Sequence, residues 1–162
     1  MADVQKDLMD GQDAMANGDF EEAVSKFNKA IKTDPNCAEA YFGKAEASVG
    51  VPKMAPEEVM ALYKKAVELD SKNPIYHSSY AAYLLEIGRF NEAEAAYQKA
   101  ADLDPDNARY YYSEFGVEYI FRAPVVMEKF LDDKTKDMIV KKGLRYLLKA
   151  AGISEEEAKR VL

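Results

Sequence analysis

Two stretches of this chain carry almost the same pattern of residues 70 positions apart. The first, GDFEEAVSKFNKAIKTDP, runs from Gly18 to Pro35, and the second, GRFNEAEAAYQKAADLDP, runs from Gly88 to Pro105. Glycine, aromatic, alanine and proline residues follow one another at the same spacing in both. Such self-similarity is the signature of a repeat array, in which every repeat is one unit of supersecondary structure.

A period of about 34 residues explains the recurrence. We number the positions of each unit from its first residue and call them slots. Slots 8, 20 and 27 hold small residues, slots 17 and 24 hold aromatic residues, and slot 32 holds proline. The first unit begins at Val4 and the third at Pro74. A middle unit begins at Ala38 and regains this register in YKKAVELD, after two extra residues in GVPKMAPEE. The residues in these slots are Gly11, Phe20, Ala23, Phe27, Ala30 and Pro35 in the first unit, and Ala81, Phe90, Ala93, Tyr97, Ala100 and Pro105 in the third.

Each unit predicts two helices that need neighbours. Two apolar-periodic segments of helical length are separated by Gly18 or Gly88, and glycine suits the left-handed conformation that ends many helices. Alanines at slots 20 and 27 allow a second helix to approach closely, while the aromatic residues fill the remaining space. One helix pair cannot bury its own apolar face, so the pairs must stack into a solenoid.

This pattern resembles that of the tetratricopeptide repeat family over residues 4–107. The resemblance implies an all-α helix-turn-helix solenoid that winds as a right-handed superhelix. It also implies three repeats, at residues 4–37, 38–73 and 74–107. The family is known for non-catalytic protein–protein interaction, and we therefore expect an adaptor that binds another protein.

The pattern decays after Asn107. Residues 108–131 are interpreted as a degenerate fourth repeat, in which PVVMEKFL forms the second helix with Pro124 in its first turn. Residues 132–162 are predicted to form C-terminal capping helices. Asp132 and Asp133 resemble an N-cap for a long helix that Gly152 closes, and SEEE from Ser154 reads as a capping box.

The residue inventory argues against enzymatic chemistry. The chain holds one histidine, His77, and one cysteine, Cys37, which cannot supply metal clusters or the usual Cys/His nucleophile arrangements. Both are interpreted as packed structural residues. Asp102, Asp104 and Asp106 have the spacing of the first three ligands of a calcium-binding loop. The later positions of that loop do not hold the glycine and the glutamate that it requires. No phosphate-binding glycine loop is present, so we expect neither a metal nor a cofactor.

Charge and hydropathy limit the partners further. Residues 1–107 carry 11 Lys and Arg against 20 Asp and Glu, whereas residues 108–162 carry 11 against 9. Nucleic acid is not expected as a partner of so acidic a body, because binding phosphates requires cations. No secretory signal and no apolar run of membrane-spanning length are apparent. We therefore expect a cytoplasmic protein without a membrane partner.

In this family the concave groove is lined by the first helix of each repeat. The corresponding surface here is apolar with polar side chains, which suits an amphipathic helix or an extended peptide of a partner protein. The alternative is that these side chains pack against each other or against the C-terminal helix. The candidate groove residues are Gln5, Leu8, Met9, Gln12, Met15, Glu39, Phe42, Glu46, Val49, Ser78, Ser79, Leu85, Arg109 and Tyr112.

Family members that bind the acidic tails of heat-shock chaperones use a clamp of lysine, arginine and asparagine. The matching positions hold no cation, so a clamp-type co-chaperone is not expected. A co-chaperone without that clamp remains an alternative, as does a self-assembling scaffold. In the scaffold, the basic helix around Lys141, Lys142, Arg145 and Lys149 would meet the acidic body of another copy, although capping is the simpler role for that helix. The clamp positions correspond to Leu8, Gln12, Gly43, Ile75 and Ser79.

Overall fold

A computed structural model describes residues 2–162 of the chain. Over those residues the fold is all-α, with nine α-helices, two short 3-10 turns and no strand. The 3-10 turns are Pro105–Asn107 and Glu128–Phe130. The helices are α1 (Ala2–Ala16), α2 (Phe20–Thr33), α3 (Ala38–Val49), α4 (Pro56–Leu69), α5 (Pro74–Glu86), α6 (Phe90–Leu103), α7 (Ala108–Val126), α8 (Asp133–Ala150) and α9 (Glu155–Val161).

The chain divides into two compact units, Met1–Tyr76 and His77–Leu162. The first unit holds α1 to α4, and the second holds α6 to α9, with α5 crossing the division. The division of the chain into three repeats, a fourth and a cap stays a prediction.

Glycine ends the first helix of two pairs, as the sequence predicts. Gly18 and Gly88 have φ angles of +81° and +79°, in the left-handed region that glycine occupies without strain. The amide of Gly18 donates to the carbonyl of Met15 at 3.0 Å, and the amide of Asp19 donates to that of Ala14 at 2.9 Å. These bonds satisfy carbonyls that the end of α1 would otherwise leave without partners.

The small slots and the aromatic slot 24 are buried as predicted, whereas Phe20 and Phe90 of slot 17 are half-buried. Ala23, Ala30, Ala93 and Ala100 are buried, so the second helices meet their neighbours across methyl groups. The ring of Phe27 lies in the core of the first unit, and Tyr97 is the corresponding ring of the second. Burial of apolar area of this kind is the main favourable contribution to folding.

The predicted second helix in PVVMEKFL is wrong. Helix α7 continues through Pro124 to Val126, and a 3-10 turn follows it. Proline is favoured in the first turn of a helix, and near the end of a helix it removes only one backbone hydrogen bond. Local chemistry therefore allows Pro124 either to begin a new helix or to lie in the last turn of α7. The partner that α7 packs against is instead α8.

The last two helices begin at the predicted caps. The Asp132 side chain accepts a hydrogen bond from the amide of Thr135 at 2.7 Å, which opens α8. Ser154 and Glu157 form the predicted capping box of α9, and Gly152 closes α8 with a φ of +80°. The cap carboxylates of Asp132 and Glu157 have lowered pKa values, because these hydrogen bonds stabilise their charged forms.

Candidate partner-binding surface

The first unit presents an open surface on its two first helices. Gln12 of α1 donates to a carboxylate oxygen of Glu39 of α3 at 2.9 Å, which ties the two helices together at this surface. Met9 is 56% exposed and Val49 is 45% exposed, although both are apolar. We call Gln5, Met9, Gln12, Glu39 and Val49 the α1–α3 face. It combines apolar side chains with amide and carboxylate groups that can hydrogen-bond to a ligand.

Phe42 borders this face but belongs to an aromatic cluster. Its ring stacks on Tyr76 with centroids 4.6 Å apart and meets the edge of Tyr63 at 6.3 Å. The hydroxyl of Tyr63 donates to Glu46 at 2.6 Å. Burial, with the negative charge of Glu39 nearby, raises the pKa of Tyr76. Phe42 and Glu46 therefore support the surface from within and expose only part of their side chains.

Two candidate groove residues are corrected by the structure. Leu8 is 3% exposed and Leu85 is fully buried, so neither has a surface that a ligand could contact. Leu8 packs into the core cluster that contains Ala23 and Phe27, and Met15 packs against the same cluster. These side chains form part of the helix-pair core, because an apolar side chain gains more from full burial than from lining an open groove.

In the second unit the candidate residues do not form one face. Ser78 and Ser79 are half-buried on α5, and Arg109 is exposed on α7. Tyr112 packs against α8, in agreement with the alternative that groove residues pack on a helix of the chain itself. Its hydroxyl accepts from Gln98 at 2.9 Å, and the ammonium of Lys149 lies 4.0 Å from its ring centroid.

Sequence reasoning missed an apolar stripe on α7. Phe121 is 71% exposed and Val125 is 75% exposed. Its members lie at helical spacing along α7, and this spacing could have revealed the stripe from the sequence. However, two of the same slots in the second repeat hold Ala40 and Ala47, which are buried. The slots therefore pointed to the interior. The stripe consists of Tyr110, Val117, Phe121 and Val125.

Three cations of the basic helix have partners within the chain, and one of them, Lys141, pairs with Asp137 of the same helix. Lys142 of α8 forms an ion pair with Glu94 of α6, and the hydroxyl of Tyr146 donates to the same carboxylate at 2.7 Å. Lys149 donates to the side-chain oxygen of Gln98 at 2.8 Å. These contacts hold α8 against α6, so the acidic groups that meet Lys142 belong to the chain itself.

The remaining candidate chemical groups take part in local hydrogen bonds or in packing. Asp104 accepts from Asn107 at 2.9 Å and from the hydroxyl of Tyr111 at 3.1 Å, and its pKa is lowered chiefly by the Asn107 bond. His77 is buried, and Cys37 is a half-buried free thiol at the start of α3. Within residues 2–162, no cluster of three potential metal ligands occurs. No helix in that range is long and apolar enough to cross a membrane.

Comparisons with known proteins agree with this architecture. Two family models, both described as tetratricopeptide repeat, match residues 8–74 and 55–113, and together they extend over more than half of the chain. A curated relative, the N-terminal acetyltransferase A complex subunit-like protein of Schizosaccharomyces pombe, is 34% identical over 76 residues. That match covers 47% of this chain but only 11% of the relative.

Solved structures are similar over more of the chain. The crystal structure of MamA superimposes with a TM-score of 0.72 at 19% identity, covering 98% of this chain and 81% of MamA. A complex of the TPR2B domain of yeast Sti1 with pHsp70 superimposes with a TM-score of 0.67 at 20% identity. It covers 73% of this chain and 96% of that domain. At these identities the likeness concerns the fold.

Proposed function

Because this chain belongs to the tetratricopeptide repeat family, we propose that it is a non-catalytic adaptor that binds a segment of another protein. The segment binds on the α1–α3 face of the first unit. The single observation that carries this proposal is the exposure of Met9 and Val49 on two helices that the Gln12–Glu39 hydrogen bond joins.

The chemistry of the face defines the kind of segment it accepts. Two exposed apolar side chains offer contact area for a leucine, methionine or aromatic anchor of the partner. The thioether of Met9 adapts to more than one anchor shape. Gln5 is free to rotate toward a backbone carbonyl or amide of the ligand. An amphipathic helix or an extended peptide with one apolar edge meets these requirements.

The acidic tail of a heat-shock chaperone fits the face poorly. Among the clamp positions, Leu8 and Gly43 are buried and Gln12 is bonded to a carboxylate. A ligand rich in carboxylates would meet Glu39 without a compensating cation. The complex of the Sti1 domain with pHsp70 supports binding of another protein by this fold, but the ligand proposed here is apolar in character.

The test is an affinity capture from lysate of the native organism with mass spectrometry of the retained proteins. Wild type is compared with the double variant Met9→Glu/Val49→Glu, which places two charges on the face. We expect at least one protein that wild type retains and the variant loses. Burying two unpaired carboxylates against an apolar anchor costs far more than the contact gains.

A matched variant separates loss of the face from loss of the fold. Ser25→Glu/Ala61→Glu adds the same charge at exposed positions on the second helices α2 and α4. Circular dichroism should give the same helix content for all three proteins. If the face variant retains the same proteins as wild type, the α1–α3 face is not the binding site.

A further inference from the structure

A concave surface lies between α8 and α9, within the second unit. It is a cleft of about 1050 Å³, slightly above the volumes typical of ligand pockets. Its walls carry five cationic side chains, three carboxylates and several apolar groups. The cations are Lys134, Lys141, Lys142, Arg145 and Lys149.

Three of these cations, Lys134, Arg145 and Lys149, have no acidic partner among the described residues, although Lys149 donates to the neutral side chain of Gln98. Lys142 pairs with Glu94, and Lys141 pairs with Asp137 at 3.0 Å. Lys134 and Arg145 are exposed and form no ion pair over residues 2–162. The cleft therefore keeps a positive potential in a chain whose net charge is −7. A concave site of one sign concentrates field lines and attracts the opposite charge.

Apolar groups lie beside these charges. Met138 is an exposed apolar residue of α8, and Ile153 is half-buried in the turn before α9. Ala158 of α9 is buried at the same cleft. The capping box of Ser154 and Glu157 and the packing of Ala158 hold the seven-residue α9 in place. The cleft thus combines a fixed apolar wall with three cations that no carboxylate of the described residues neutralises.

We propose that this cleft binds an acidic amphipathic segment of a partner protein. An apolar side chain of the segment enters beside Met138 and Ile153, and its carboxylates pair with Lys134 and Arg145. Arginine suits this role because its planar guanidinium bonds a carboxylate through two parallel hydrogen bonds. The site is separate from the α1–α3 face and does not depend on it.

The lining of the cleft favours a peptide over a phosphate-rich ligand. Glu94, Asp137 and Glu155 also line the cleft and reduce its positive charge, so it offers too few free cations for the high charge density of a nucleic acid or an anionic membrane. A membrane surface is also too broad to enter a cleft, whereas basic surface helices that bind membranes lay one face flat on them. A peptide can place its carboxylates at Lys134 and Arg145 and keep away from the three carboxylates of the lining.

The test uses fluorescence anisotropy with a labelled synthetic peptide, EELEEMLEELEE, and its uncharged counterpart, QQLQQMLQQLQQ. The whole protein is titrated at low salt. We expect the acidic peptide to bind at least about tenfold more tightly than the glutamine peptide, a ratio that corresponds to about 1.4 kcal/mol. Added salt should weaken the acidic peptide's binding, because exposed charges are screened.

Variants locate the binding on the protein. Lys134→Glu/Arg145→Glu should weaken binding of the acidic peptide by about tenfold or more. Lys64→Glu/Lys72→Glu makes the same change of net charge at exposed lysines of the first unit and should leave binding within about twofold of wild type. Met138→Ser should weaken both peptides, which reports the apolar contact. Met9→Glu/Val49→Glu should bind the acidic peptide as wild type does, so failure of either proposal is recognised separately.

Three results would overturn the proposal. The first is equal binding of the two peptides, or equal binding by wild type and the Lys134/Arg145 variant. The second is that wild type binds neither peptide but sediments with vesicles of phosphatidylserine and phosphatidylcholine, and that the Lys134/Arg145 variant no longer sediments with them. The third is a homo-oligomer that the same variant dissociates and that the acidic peptide does not compete away, since the occupant would then be another copy of the chain.

Discussion

The ring of Phe27 in α2 occupies the space that Gly43 of α3 leaves by having no side chain. A Cβ on Gly43 would lie 2.5 Å from Cε1 of Phe27, and a Cβ on Gly11 of α1 would lie 2.8 Å from it. The ring is therefore inserted between the backbones of two first helices. The aromatic residue of one repeat and the glycines of two repeats act together as one packing unit.

Replacing Gly43 with alanine should destabilise the protein. Alanine improves helix propensity by about 1 kcal/mol, but the buried ring of Phe27 would have to move against a close-packed core. Overpacking of this kind costs about 1–3 kcal/mol, and we expect a net loss of the free energy of unfolding. Urea denaturation followed by circular dichroism measures it.

The variant Phe27→Leu, which has a smaller side chain without a ring, tests whether a clash with Phe27 causes this loss of stability. If steric conflict is responsible, Phe27→Leu/Gly43→Ala should be less destabilised than the sum of the two single variants. A Gly43→Ala protein at least as stable as wild type would show that the ring moves freely, contrary to this account.

A second close approach joins the C-terminal helices. A Cβ on Gly116 of α7 would lie 2.9 Å from the carbonyl oxygen of Gly143 of α8, and the reverse substitution gives the same distance. A Cβ on Gly143 would also meet the side chain of Ile120, so Gly143→Ala should push α7 and α8 apart and cost about 1–3 kcal/mol of stability. Hydrogen exchange should show the loss of protection concentrated in α7 and α8.

The matched control on the same helix is Val140→Ala. Val140 is exposed, so its truncation should change the free energy of unfolding by no more than about 0.5 kcal/mol. Equal effects at positions 140 and 143 would contradict a specific contact at the glycine pair.

The Glu94–Lys142 pair should stabilise the contact between α6 and α8. About a quarter to a third of each side chain remains exposed, so solvent screens the pair and its coupling energy should be small, about 0.5–1 kcal/mol. A double-mutant cycle with Glu94→Gln and Lys142→Met measures this coupling. The value should fall at high salt, and a coupling near zero at low salt would exclude an energetic role for the ion pair.

Buried tyrosines should make stability fall at alkaline pH. Burial raises the pKa of Tyr80 to about 12 and also raises the pKa values of Tyr97 and Tyr146. The folded state therefore keeps protons that the unfolded state releases near pH 10. The associated stability is complete below about pH 10 and is lost as pH rises toward the pKa values of the folded state.

Near-ultraviolet absorbance of tyrosinate and far-ultraviolet circular dichroism check this dependence together. We expect an early group of exposed tyrosines to ionise near pH 10 without loss of helix. A later ionisation should coincide with unfolding, and Tyr80→Phe should reduce the slope of stability against pH above about 10. Complete ionisation near pH 10 with intact helices would show that these hydroxyls are accessible to solvent.

Much of the helix-pair architecture follows from short-range chemistry. Gly18 and Gly88 end their helices because only glycine adopts the left-handed conformation freely. The caps at Asp132 and Ser154 were predictable, because their hydrogen bonds join residues only three positions apart. The small and aromatic slots predicted buried positions, because their helical spacing places them on one face.

The candidate site was less predictable, because a slot does not determine how a helix is rotated. Leu8 and Leu85 occupy slots of the groove but lie in the interior. Tyr112 occupies a groove slot and packs on α8, whereas Phe121 is exposed. The burial of each side chain depends on which helix lies beside it and how close that helix is. The repeat pattern holds no information on either.

The sequence by itself determined the all-α class, the paired helices, their glycine stops and the last two caps, since these depend on neighbours within one helical turn. Tertiary structure alone decided that α7 extends through Pro124. A Cβ on Gly88 would lie 2.7 Å from Val126, so the end of α7 packs on a turn 38 residues earlier in the chain. Local preference at Pro124 allowed either a helix start or a continuation, and this distant packing selected the continuation.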